Sequence, residues 1–256
     1  MTTAFRPFHV EGADEPAGAI PLDAAELLLR RGLVAARAGG GRLELAGAAS
    51  LDDRLEDVRA ELCRAGLIGP PRGEAMPLRL SPEGAEIARL DRSAVRILGV
   101  WVDKVHINGL VPQPDGPPDV WLSRRAPTAE WNPDRFDTLV AGGRAAGHSV
   151  ARTLAAEARE EAGIGATLLE RLQPAGQLSV TYVSAKGLHR EFLVIFDLAL
   201  EPGFRPVCHD GEIAWHRRLS LAALEGLIDA PGEMKLSSRI VCRALLGRLR
   251  DVSQPA

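Results

Sequence analysis

The chain has 256 residues, 46% of them hydrophobic and 25% charged, enough for one or two globular units with a substantial core, and two is the better expectation. Its formal net charge of −3, with acids and bases interspersed, leaves no electrostatic footprint for nucleic acid or a membrane surface, so an anionic ligand must be held by local chemistry. Cys63, Cys208 and Cys242 form neither a CxxC metal pattern nor a disulfide framework. MTTAFRPFHV at the N-terminus lacks the apolar run of a signal peptide, and no later segment has bilayer-spanning length, which predicts a cytoplasmic protein.

The first predicted element is a short helix over DAAELLLRR, with Asp23 as N-cap, Glu26 as its capping-box partner and Gly32 as the stop. Gly39 to Gly41 read as a turn. Ser50 then caps an amphipathic helix in which Leu51, Leu55, Val58 and Leu62 recur at helical spacing, and Gly66 ends it. MPLRL reads as a strand, and SPEGAEIARL as another short helix with Pro82 in its first turn. Residues 1–95 are therefore expected to form a small α+β domain, and residues 96–256 a second domain.

The second half changes character. VHINGLV and DVWLSRR flank a Pro/Gly loop as hairpin strands would, and FDTLV leads into Gly142 and Gly143. A helix follows with Ser149 as N-cap, an apolar stripe of Val150, Leu154, Ala158 and Ala162, and a stop at Gly163. QLSVTYVSA, REFLVIFDLAL and EIAWHRRLS are β-rich, and LAALEGLI and LSSRIVCRALLGRL are helical. Strands flanked by helices on both sides predict an α/β/α sandwich.

The chemistry concentrates in AGGRAAGHSVARTLAAEAREEAGI, where Glu157, Glu160 and Glu161 share one helix face beside the glycines. Carboxylates so placed repel one another, and a bound cation relieves the repulsion; hard oxygen ligands favour magnesium. Paired glycines let a metal or ligand approach the main chain closely.

These residues resemble the Nudix box, a glycine loop followed by R-E-U-x-E-E-x-G-U with U a bulky aliphatic residue. Glu157, Glu160, Glu161, Gly163 and Ile164 fit its second half. Ala156 stands in the arginine slot and His148 in that of the first glutamate. The resemblance implies an α/β Nudix sandwich with a mixed sheet, preceded by the α+β domain. It also implies a diphosphatase using magnesium, with manganese as a substitute. Glu160 and Glu161 would be metal ligands, Glu157 a further ligand or the general base, and the Gly142 carbonyl an additional ligand. Glu212, in HDGEIAW, is the expected later carboxylate ligand, and Arg152 a stand-in for the missing arginine.

FRPFHV, the Arg72-Gly73-Glu74 stretch, VHINGLV, WLSRR, FDTLVAGGRAAGHS and HDGEIAW extend the similarity to one branch, the Nudix proteins related to the N-terminal part of fungal thiamin pyrophosphokinase. That branch implies cleavage of thiamin diphosphate, or its oxy and oxo analogues, to the monophosphate and phosphate. A nucleoside diphosphate derivative, or a non-catalytic ligand-binding regulator, is the alternative. His106 and Asn108 on one side of a strand, together with Arg124, are expected to line the substrate site. Trp101, Trp121, Trp131 and Phe136 offer an aromatic wall. The expected partner is a small diphosphate, with no nucleic acid and no membrane; a homodimer is left open.

Overall fold

A computed structural model describes residues 4–37 and 41–252; of the expected Gly39 to Gly41 turn, Gly39 and Gly40 lie outside the described residues. The chain divides into two compact units. The first comprises the residues up to Asp103 with Arg144–His148 and Ser179–Phe192, and the second comprises Lys104–Gly143, Ser149–Leu178 and the residues from Leu193 onward.

In the first unit, β1 (Phe5–His9), β2 (Gly18–Pro21), β3 (Val34–Ala36) and β4 (Leu43–Leu45) form a sheet in the order β2-β1-β4-β3. These short strands escape a sequence reading because each is only three to five residues long. Helix α1 (Leu22–Arg30) begins one residue before the expected cap, after Pro21. Helix α2 (Leu51–Arg64) starts as expected, with the Asp53 N–H donating to Ser50 Oγ. Phe8, Ile20, Leu28, Leu43, Leu55 and Leu62 fill a single core.

SPEGAEIARL corrects one expectation. Strands β5 (Ala75–Leu78) and β6 (Ala88–Asp91) pair antiparallel, and the residues between them form a turn where a helix was predicted. Glu83 adopts φ 63°, outside the right-handed helical region. Pairing of the two strands thus overrides the Ser-Pro helix-start signal.

The larger sheet contains β7 (Trp101–Val111), β8 (Asp119–Arg125), β9 (Phe136–Thr138), β10 (Val140–Gly143), β11 (Gln173–Ser184), β12 (Gly187–Ala199) and β13 (Ile213–Leu219). Its order is β11-β12-β7-β8-β13, with β10 on β7 and β9 on β8. In the second unit, α3 (Val150–Ala162) covers one face and α5 (Leu221–Asp229) with α6 (Leu236–Val252) the other; α4 (Ala166–Leu169) is a single turn.

Strand alternation divides the core accordingly. Val105, Ile107, Val140 and Leu198 pack with Leu154 and Ala158 of α3. Val120, Leu122 and Leu219 pack with Leu224, Cys242 and Leu245 of α5 and α6. Two cores on opposite faces make the α/β/α sandwich. Among the described residues no helix is long and apolar enough to cross a membrane.

Candidate active site

The glycine strand and the acidic helix meet in the second unit. Ser149 caps α3 by accepting the Arg152 N–H at 3.1 Å, and Thr153, Leu154, Ala158, Glu161 and Ala162 form its buried face. Gly163 ends the helix at φ 65° while the Ile164 N–H donates to the Ala158 carbonyl at 2.9 Å, which tucks Ile164 into the core. Helix phase is thereby fixed at both ends.

That phase presses Glu157 onto Gly142. A Cβ on Gly142 would stand 2.0 Å from the Glu157 carboxyl carbon and 2.2 Å from its Oε1, so only glycine admits the carboxylate against the strand. One turn on, Glu161 is 3% exposed, and its Oε2 accepts the Ala141 N–H at 2.7 Å. Burial, then the charges of Glu157 and Asp137, push the Glu161 carboxyl well above its usual range. A buried carboxylate beside two others is a site that attracts a cation.

Glu160 lies at the rim, its Oε1 3.1 Å from Arg159 Nη2 and its backbone carbonyl accepting the His209 N–H at 2.7 Å. Among the described residues, no three or more His, Cys, Asp or Glu side chains form a ready-made metal cage. The hard oxygens of Glu157, Glu161 and the Gly142 carbonyl nevertheless suit magnesium or manganese, which bind through one or two carboxylates and keep much of their water.

Other expected site residues are placed elsewhere. His106 is fully buried and bonds Thr138 Oγ1 at 2.9 Å. Asn108 donates to Asp197 at 2.8 Å, and Asp197 is paired with Arg248 of α6. Both project from the sheet face opposite to that of Val105 and Ile107, which pack on α3. Arg124 stacks 4.6 Å over Phe136 and bonds Asp134 and Glu233, so it serves local packing. Glu212 is largely exposed and pairs with Arg125 at 3.5 Å. Arg152 is exposed, with its backbone N–H engaged by the cap. The contacts of four of these side chains thus lie with Thr138, Asp197, Asp134, Glu233 and Arg125.

Two groups beside the pair escape the sequence reading. His216 of β13 donates its Nε2–H to the Glu161 carbonyl at 3.0 Å, and burial lowers its pKa. Asp137 takes an ion pair from Lys235 at 2.8 Å and a hydrogen bond from Ser238. Lys235 lies 98 residues from Asp137 in the chain, so no local spacing announces the contact.

Over 176 residues, 69% of its length, the chain is 30% identical to Nudix hydrolase 24, chloroplastic, of Arabidopsis thaliana, covering 48% of that protein. It is also 30% identical over 187 residues, 73% of its length, to Nudix hydrolase 20, chloroplastic, of the same plant, covering 50%. In structure it matches the DR0079 protein of Deinococcus radiodurans with a TM-score of 0.53 at 19% identity, covering 69% of this chain and 99% of that one. Its fold is the Nudix fold. No family model matches the chain, and it spans about half the length of the curated relatives it matches. Helix α3 carries the residues that resemble the Nudix box, Glu157, Glu160, Glu161, Gly163 and Ile164, with Ala156 in the slot of the arginine.

Proposed function

We propose that this protein is a divalent-metal-dependent Nudix pyrophosphohydrolase that cleaves the phosphoanhydride of an organic diphosphate. The observation carrying this reading is the stacking of the Glu157 carboxylate on Gly142 beside the buried, cation-seeking Glu161. When bound, magnesium or manganese neutralises phosphoryl charge and makes coordinated water more acidic. Glu160, Glu161 and the Gly142 carbonyl would hold it, with Glu157 as the general base beside them.

The chain's own contribution is positioning and proton transfer. Glu157, braced by the strand, accepts the proton of the attacking water; the new P–O bond forms as the bridging P–O bond breaks. The Ala141 N–H and the His216 bond to the Glu161 carbonyl hold the neighbouring turn in place. Resemblance of FRPFHV, VHINGLV and HDGEIAW to the thiamin pyrophosphokinase-related branch supports thiamin diphosphate, or its oxy and oxo forms, as substrate, with the monophosphate and phosphate as products.

Product release from thiamin diphosphate, its oxidised analogues and nucleoside diphosphate derivatives, measured with and without magnesium, tests the reading. The thiamin diphosphate class is expected to be cleaved fastest, and Glu157→Gln and Glu161→Gln to slow turnover at least about 100-fold. Faster cleavage of the nucleotide derivatives would move the assignment to that class. Binding without cleavage of any diphosphate would make the protein a ligand-binding regulator.

A further inference from the structure

Strands at the edge of a sheet carry unpaired main-chain groups, and stable folds blunt them with short length, a proline or a charge. In the first unit the edge strand β3 has three residues, and the other edge strand, β2, ends in Pro21. At one end of the larger sheet, β13 carries His216, Arg217 and Arg218. At the other end, β11 runs for 12 residues, Gln173–Ser184, and holds no Asp, Glu, Lys or Arg. Pro174 and Gly176, the latter at φ 130°, interrupt only its start.

The remainder includes SVTYVS, residues 179–184, which belongs to the first unit. Its β-branched and aromatic residues, free of charge, make a strand that pairs readily. Its two faces differ. Val180 is 8% exposed and Tyr182 is half-buried, whereas Thr181 and Val183 are exposed, Val183 at 52%. Tyr182 stacks on His189 with ring centroids 4.2 Å apart and donates to Glu191 Oε1 at 3.3 Å. The segment is therefore an ordered, neutral edge, paired with β12 on one side.

We propose that two copies of this chain pair antiparallel through residues 179–184 of β11, making a two-fold dimer whose axis passes through Thr181. Such an axis stands normal to the sheet and keeps each face continuous, so opposed residues come from the same face of β11. Centred on Thr181, the register sets Val180 against the partner's Tyr182 and Thr181 against the partner's Thr181. Aromatic with β-branched, and Thr with Thr, are favourable cross-strand pairs. Centring on Tyr182 would oppose Val180 to Ser184 instead. A second copy fits this edge because a strand without charge meets no repulsion from itself, and nothing along it selects a charged partner. So short a pairing buries less surface than a standard stable interface, so main-chain hydrogen bonds carry it and dissociation falls in the micromolar range. The proposal stands independently of the pyrophosphohydrolase reading.

Sedimentation velocity of the full chain over a concentration series tests the pairing. The wild type is expected to pass from monomer to dimer in the micromolar range. Thr181→Lys, at an exposed position, sets two like charges against each other at the axis and is expected to weaken association about 100-fold; Thr181→Glu does the same. An equimolar mixture of these two variants is expected to restore the dimer, a result that a folding defect cannot produce. Thr181→Val, uncharged and β-branched, keeps it. A wild type that stays monomeric at high micromolar concentration overturns the proposal. So does undiminished association of both charged variants, or a mixture of them that stays monomeric.

Discussion

Gly142 shows how one missing side chain shapes the site. Adding a methyl there would place an atom 2.0 Å from the Glu157 carboxyl carbon, so the carboxylate must rotate off the strand. Misplacement of a reacting group by an ångström is enough to cost about 100-fold in rate. Gly142→Ala is therefore expected to reduce turnover by about that factor. Because the displaced group is the end of a flexible, half-buried side chain, the melting temperature should shift by only a few degrees; a loss of fold would instead mean that the close approach is structural. Ala156 is instructive at the same scale. No arginine stands in its slot, and Arg152, one turn earlier, points to solvent. Besides the Ala141 N–H, the positive influence on Glu161 comes from Lys235, a residue outside the box altogether.

At the scale of the element, α3 is specified almost entirely by its ends. Ser149 accepts the Arg152 N–H, Gly163 takes the left-handed conformation, and the stripe between them faces the sheet. Ser149→Ala is expected to cost about 1 kcal/mol in urea unfolding; because the cap sits two turns before Glu157, metal-supported turnover should change less than stability does. The β5–β6 hairpin teaches the opposite lesson. Its Ser-Pro start looks helical, yet Met76 pairs with Leu90 and Leu78 with Ala88, and these four residues are all buried. The hydrophobic gain from two paired, buried strands exceeds a local propensity worth a fraction of a kcal/mol per residue.

At the scale of the whole molecule, a buried charge cluster links the sheet to α6. Asp137 is 1% exposed. Burial alone would raise its carboxyl, but Lys235, His106 and Ser238 hold it at about 2. Its folded pKa lies below that of a free aspartate, about 3.9, so this contribution to stability is complete above about pH 4 and is lost as pH falls toward 2. Urea unfolding across that range should show the loss in the wild type. Lys235→Met leaves Asp137 buried without its counter-charge and is expected to cost about 3–5 kcal/mol at neutral pH, while removing the acid-dependent loss. A variant as stable as the wild type at pH 7 would contradict this account.

Sequence by itself determined the acidic helix, its cap and stop, the glycine strand before it and the order of strands and helices in the second half. Each of these rests on a short-range rule: helical or alternating periodicity, a capping side chain, a glycine where the backbone turns. It also pointed to Glu157, Glu160 and Glu161 as the candidate chemical centre. Only the tertiary structure decided which side chains stand around that pair. His106, Asn108, Arg124, Arg152 and Glu212 have the right chemistry and sit on another face, in another ion pair or in solvent. His216 and Lys235 are drawn in by strand register and by the docking of α6. The physical reason is that sheet pairing and core packing act between residues tens of positions apart, and the face on which a side chain emerges depends on which strand lies beside its own.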